Sequence, residues 1–340
     1  MKRNIYLKTI PPAEAVARVK ASIDREALIR EETIPSHEAS GRVLAHAVHA
    51  RYSSPTFHSA AMDGYAVNAR STFAAREGHP LTLKAGETCF AVNTGHPMPE
   101  GCDAVIMIEQ VVLDGGSVTI EAPAFPWQHV RRIGEDIVAT ELLFPRNHQL
   151  RPWDVGALLS GGIWDVPVWE RVTVRIIPTG DEVLDFTTHP DPGKGQVVES
   201  NSQMLAALAR ELGCVVERAA PVPDNPEALH QALKDSLDAG RHLTIFCAGS
   251  SAGSKDFTRA TLEKEGEILT HGIAAMPGKP SLLANCRGRL VAGAPGYPVS
   301  ALVCFKELLE PLISWLSHRE PPAKTVVPVE LTRTVPSRPG

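Results

Sequence analysis

Between residues 172 and 316, short apolar runs alternate with segments of helical period, and this alternation restricts the possible folds more than any other feature. The runs 172–177 (VTVRII), 215–222, 243–247 (LTIFC), 281–284 and 290–292, with a shorter one at 268–269, have strand length and are rich in β-branched residues. Between them lie helical patterns over 202–212, capped by Asn201 and closed by Gly213, over 226–239 behind Asp224 and Asn225, and over 299–316. Such alternation predicts a doubly wound, parallel or mixed sheet with helices on both faces. Sheets of this kind take ligands outside the carboxyl ends of their strands.

Upstream the texture changes. Val16, Val19, Ile23 and Ala27 recur at helical spacing within residues 12–30. Residues 45–136 form short alternating runs broken by Pro, Gly, Ser and Asn, the pattern of a β-rich insert module. The stretch 142–169 carries Pro145, Pro152 and Pro167 around a small-residue helix near 155–161, and it reads as a connector back to the first helical region. The expected organisation is an α/β multidomain chain of four parts. Residues 1–44 with 137–170 form an N-terminal and connector domain, 45–136 the insert, and 171–320 the α/β domain. Residues 321–340 start a C-terminal β domain, because Val326-Val327-Pro328-Val329-Glu330-Leu331 opens a strand pattern just before the chain stops.

A length of 340 residues leaves room for several cores. The net charge of −5 gives no reason to expect a nucleic-acid partner. Six cysteines without a CxxC pair read as buried free thiols in a reducing compartment. The first residues lack the apolar core of a signal peptide, and no run approaches the roughly twenty apolar residues of a membrane helix. A soluble cytoplasmic protein without a membrane partner is expected.

The chemistry concentrates in loops. Residues 248–256 join a strand to a helix start. Gly249 and Gly253 let backbone approach a ligand, Ser250, Ser251 and Ser254 offer hydroxyls, and Asp256 stands at the N-cap position. Three more loops belong at strand carboxyl ends: Thr179-Gly180-Asp181-Glu182, Met276-Pro277-Gly278-Lys279-Pro280 and Ala294-Pro295-Gly296-Tyr297-Pro298. Carboxylates, a lysine and glycine backbone suit an oxyanion held with a divalent metal. The 249–256 loop is one residue short of a P-loop and lacks its Ser or Thr after the lysine, and no GxGxxG follows a strand. In the β module, Asp63-Gly64, Thr94-Gly95, Glu100 to Asp103 and Gly134-Glu135-Asp136 are turns. Each alone reads as a solvated turn, with Asp63-Gly64 as a hairpin tip. Together they read as binding loops on one scaffold.

These motifs, in this order, resemble the molybdopterin molybdenumtransferase family, the group that includes MoeA and the E domain of gephyrin. The residues that carry the resemblance are Ala61-Met62-Asp63-Gly64-Tyr65-Ala66, Thr94-Gly95, Pro99 to Val105, Gly134-Glu135-Asp136-Ile137, Pro178 to Glu182, Ser251 with Gly253 and Asp256, Pro277-Gly278-Lys279-Pro280, Pro295-Gly296 and Pro298-Val299-Ser300. The resemblance implies an elongated homodimer whose active cleft is shared between subunits. It implies transfer of molybdenum from molybdate to adenylylated molybdopterin with magnesium-dependent release of AMP. Asp63, Asp136, Asp256 and Lys279 are then the catalytic candidates, with Asp63, Thr94 and Asp136 supplied by the partner. Asp181, Asp256 and Asp63 are the Mg2+ candidates. Thr94, Gly249, Ser250, Ser251, Gly253, Pro277, Gly278, Pro295, Gly296, Pro298 and Ser300 are implied to hold the pterin nucleotide. The molybdopterin adenylyltransferase is a further candidate partner.

The chain departs from the family pattern at several points. Met276 replaces the first lysine of Lys-Pro-Gly-Lys-Pro, Ala60 replaces a serine, and Ala248 to Gly253 vary the usual glycine-rich loop while keeping Ser251. With most of the C-terminal domain absent, the expectation is a chain that binds substrate and turns over poorly. The alternative reading is a non-catalytic pterin- or nucleotide-binding relative, or a dimeric scaffold.

Overall fold

The computed structural model describes residues 9–247, 257–321, 326–330 and 332–333. The chain divides into two compact units, one of Met1–Glu32, Gly41–Ala45 and Pro167–Gly340, the other of Thr33–Ser40 and His46–Val166.

The first unit is built on a six-stranded sheet of β1 (Thr173–Pro178), β2 (Val215–Arg218), β3 (Leu243–Cys247), β4 (Gly266–His271), β5 (Leu282–Cys286) and β6 (Arg289–Ala294). Their spatial order is 2-1-3-6-5-4. β2, β1, β3 and β6 run parallel, and β5 is antiparallel to both β6 and β4. Successive side chains of a strand point to opposite faces, and the apolar residues divide accordingly. Val174, Ile176, Ile245, Cys247 and Leu283 join one core, which holds Val19 of the helix Pro12–Ser22, Leu205 and Ala209 of Asn201–Glu211, and Ala301 to Leu316 of the last helix. Ile177, Phe246, Leu282 and Ala284 join a second core, with Leu229 and Leu233 of the helix Pro226–Asp238 and Leu262 of Phe257–Glu265. Apolar residues on both faces of the strands are what the near-continuous runs required. The mixed, doubly wound sheet expected from the sequence is the observed one.

Three local expectations change. The second strand ends at Arg218 rather than 222, because Pro221 and Pro223 have no N–H to continue the ladder; Val222 keeps only a single bridge to Thr179. Asn201 is not a cap. It is the first residue of its helix behind Ser200, and its Nδ2 donates to Gly296 O at 2.7 Å. Residues 326–330 are exposed and in no strand, since an apolar run becomes a strand only where a neighbour takes its backbone hydrogen bonds.

In the second unit the strand Gly64–Val67 is flanked antiparallel by Cys89–Val92 and Ala104–Met107, and Ser117–Ile120 is flanked by Leu81–Lys84 and Val111–Asp114. Val67, Cys89, Ala104 and Ile106 of the first sheet share a core with Leu83, Val118 and Ile120 of the second. The helix Pro152–Ser160 lies in the same unit, so residues 137–166 group with the β-rich segment. Asp63-Gly64 is not a hairpin tip: Ser59–Ala60 pairs with Val130–Arg131, in a different sheet from Gly64–Val67. Gly64 is required by close approach, because a Cβ there would collide with the carbonyl of Ile106.

Candidate functional site

Strand register defines one edge of the sheet in the first unit. Pro178 at the end of β1 pairs with Cys247 at the end of β3, and Cys247 pairs with Ala294 at the end of β6. Three loops therefore leave from one row. The antiparallel β5 begins at the same edge, with Leu282 opposite Gly293, so the loop before it joins the group. The strand order reverses between β1 and β3, the position at which doubly wound sheets commonly take a ligand.

At the β1 end, Thr179 donates both its N–H (2.9 Å) and its hydroxyl (3.0 Å) to Cys247 O, which locks the start of this loop to the β3 end. Asp181 and Glu182 are exposed beyond it. Asp181 Oδ1 accepts the N–H of Asp224 at 3.1 Å, and this bond brings the loop after β2 to the same edge. In the loop before β5, Met276 and Pro277 are exposed, Gly278 is buried and Lys279 is half-buried. Gly278 O accepts from Ser281 N (3.1 Å) and Ser281 Oγ (2.7 Å), and Lys279 O accepts from Ile273 N at 2.9 Å. Gly278 has φ +112° and faces Val303 and Ser300 O, so the lysine loop lies against the first turns of the last helix. After β6, Pro295 is buried, Gly296 and Pro298 are exposed, and Ser300 is partly exposed in that helix.

A polar cluster beside these loops has no counterpart in the sequence reading. Arg218 at the end of β2 donates Nε to Ser202 Oγ (2.9 Å) and Nη2 to Asp185 Oδ1 (3.1 Å) and Glu199 Oε2 (3.4 Å). Ser202 N also bonds Glu199 Oε1 at 2.7 Å. The Thr187 N–H, ahead of Arg218, holds the Asp185 carboxyl below the usual carboxylate range. Glu199 and Ser202 are buried, and a buried carboxylate needs such a partner. The helix Pro226–Asp238 starts behind Asp224 and Asn225 as expected, with Asn225 as its cap, and Asn201 and Asp224 also tie neighbouring loops together. Asn201 is 8% exposed, and its Oδ1 has no hydrogen-bond partner among the described residues. Their signal in sequence was position, each close before or at a helix that follows a strand of the sheet.

The second unit gathers the other sequence-derived candidates. Asp63 Oδ1 accepts from Thr94 N (2.7 Å) and Thr94 Oγ1 (3.0 Å), and these bonds, the N–H first, hold the Asp63 carboxyl below its ordinary range. Gly95 N bonds Ala60 O at 2.8 Å and Ala61 N bonds His129 O at 2.8 Å, so three turns meet. Arg131 pairs in register with Ser59, and its Nη2 reaches both oxygens of Asp136 at 2.8 Å. Asp63, Thr94 and Asp136 are all exposed.

Gly249, Ser250, Ser251, Gly253 and Asp256 lie outside the described residues. Among the described residues no three His, Cys, Asp or Glu side chains close into a metal-binding group. The donor set at the sheet edge nonetheless fits magnesium, which is commonly bound through one or two carboxylates with water and substrate phosphate oxygens. Asp181 and Glu182 offer exposed carboxylates there, and Asp224 gives its N–H to Asp181.

Residues 10–162 match the family described as "MoeA N-terminal region (domain I and II)", and residues 175–315 match "Probable molybdopterin binding domain". A molybdopterin molybdenumtransferase of Haemophilus influenzae is 34% identical over 309 residues, 85% of this chain and 74% of that protein. One of Synechococcus elongatus is 32% identical over 301 residues, 83% of this chain and 74% of its own length. Two crystal structures of a molybdopterin biosynthesis MoeA protein from Pyrococcus horikoshii superpose with TM-scores of 0.78 and 0.76 at 29% and 27% identity, over 92% of this chain and 81% and 80% of theirs. By sequence over most of its length and by fold, the chain belongs to the molybdopterin molybdenumtransferase family, transferases of molybdenum cofactor biosynthesis.

Proposed function

We propose that the chain transfers molybdenum from molybdate to adenylylated molybdopterin with magnesium-dependent release of AMP. The observation that carries this reading is the shared register row, from which the Asp181 loop and the Pro295 loop depart beside the Lys279 loop. Carboxylates, a cation and helix-start backbone then stand at one crevice of a sheet whose topology favours a ligand there. Lys279 holds the tetrahedral oxyanion. Asp181, with Glu182 beside it, would hold magnesium, and the metal would supply charge neutralisation for the phosphate. The buried Asn201 Oδ1 accepts an N–H of the substrate's heterocycle and keeps Gly296 in place through Nδ2.

Loss of AMP leaves negative charge on phosphate. Fixed donors aimed at that charge lower the barrier because they need no reorganisation during the step. Asp63, Thr94 and Asp136, on the second unit, serve the crevice of a second copy in a homodimer, and Ser251 and Asp256 complete the nucleotide side. The pterin nucleotide reaches this site from the adenylyltransferase that makes it. The test is to incubate the purified chain with adenylylated molybdopterin, magnesium and molybdate and to follow AMP. Release that requires both magnesium and molybdate, and that falls at least tenfold in Asp181→Asn, is expected. No AMP from the folded wild-type chain under these conditions overturns the reading.

A further inference from the structure

At the other end of the same sheet, by the amino ends of β1 and β2, three arginines line one small cavity. Arg42, Arg171 and Arg319 share its wall with Trp169, Glu170 and Gly213, around an open space of about 10 Å³, room for one water-sized atom. Arg42 is 8% exposed, donates Nη2 to Trp169 O at 2.9 Å and pairs with Glu32. Arg319 gives Nη1 to Leu212 O (3.1 Å) and Nη2 to Gly41 O (2.8 Å). Its Nε is buried with no partner among the described residues. Gly213 permits this approach, since a Cβ there would stand 2.8 Å from Arg319 Nη2. Arg171 is exposed at the rim. The one carboxylate in the wall, Glu170, accepts the Arg30 N–H through Oε1 at 2.7 Å and lies 3.5 Å from His242 Nε2.

Helix capping explains part of this arrangement. Arg319 stands at the carboxyl end of the helix Asn201–Glu211, where a cation complements the dipole and satisfies a terminal carbonyl. Capping accounts for Nη1 and leaves Nε and the position of Arg171 unexplained. Burial, reinforced by the charges of Arg171 and Arg42, pulls the Arg319 guanidinium below its ordinary pKa. Like charges are thus gathered with incomplete compensation, and an anion would relieve them.

We propose that this cavity is a binding site for a small inorganic anion of chloride size, held by Arg319 and Arg171. Such an anion binds only the folded unit. It joins the segment Gly41–Ala45, the entry to β1 and the end of the last helix, far along the sheet from the loops of the candidate active site.

The test is calorimetric titration of chloride into the full-length chain at constant ionic strength, with gluconate, too bulky for the cavity, as the balancing anion. The wild type should show saturable binding and a melting temperature about 2 °C higher once chloride reaches about five times its dissociation constant. Arg171→Ala removes an exposed side chain, so it should melt like the wild type in gluconate while binding chloride at least tenfold more weakly. Arg319→Lys, which keeps the charge and loses Nε, should also bind more weakly. No saturable binding in the wild type, or an equal response in Arg171→Ala, overturns the site.

Discussion

Asp63 shows how much one side chain does that composition cannot reveal. In sequence it is an acidic residue before a glycine; in the fold it anchors the Thr94 turn through two hydrogen bonds. Both bonds favour the carboxylate, so the folded-state pKa lies below the unfolded value. The stabilisation is therefore complete above the ordinary carboxylate range and is lost only as pH falls through the lowered value. Melting curves of Asp63→Asn against the wild type should show a constant difference from pH 8 to 5 that shrinks in acid. A difference that already fades between pH 7 and 5 contradicts the tether. Asp63→Ala should also abolish AMP release while the second unit stays folded by circular dichroism. Met276 makes a complementary case. It is 63% exposed beside the lysine loop, at the position where the family resemblance implies a further lysine. Met276→Lys should tighten molybdate binding about fivefold, the effect of roughly 1 kcal/mol from an added charge about 4 Å from its partner in water-like surroundings. Unchanged affinity in a direct molybdate titration would place the methionine away from the anion.

The strands of the mixed sheet were the most legible elements, because two-sided burial writes itself as an uninterrupted apolar run. β3 is buried along its whole length, and Phe246, 1% exposed, fills the core under two helices. Phe246→Ala should cost about 3–5 kcal/mol by denaturant unfolding, the usual penalty for a large core cavity; a loss below about 1 kcal/mol would mean the core collapses around the gap. The cysteines were legible for the same reason, except Cys102, which is half-buried rather than buried. All six are unpaired, and burial pushes the Cys304 thiol up to about 11 and those of Cys214 and Cys286 up to about 12. Alkylation at pH 8 should leave these three unmodified in the native chain and reach them once it is unfolded. Rapid native labelling of Cys304 would contradict the packing. Element ends were less legible. The loss of β2 after Arg218 and the extra helical residue at Asn201 depend on proline chemistry and on a contact 95 residues away.

Across the whole molecule, the candidate residues fall into two units, Asp63, Thr94 and Asp136 in one and Asp181, Lys279 and Ser300 in the other. The proposed shared cleft makes the oligomer part of the site. Light scattering should give twice the 36.6 kDa of one chain at concentrations where AMP is released. A chain that is active as a monomer would require each copy to build its own complete site. Among the described residues no helix is long and apolar enough to cross a membrane.

Local pattern was enough for the strand and helix alternation, for the glycine and proline loops, and for the family to which they belong, because each is written in contiguous residues. The row Pro178, Cys247 and Ala294 is written nowhere in the chain. It arises from strand order and register, which are set by hydrogen bonds and packing between residues tens of positions apart. The same holds for the pairing of Arg218 with Glu199, the reach of Asn201 to Gly296 and the three arginines around one cavity. Side chains meet there because buried polar groups must find partners wherever the fold brings them, and that condition is satisfied only once the sheet has closed its two cores.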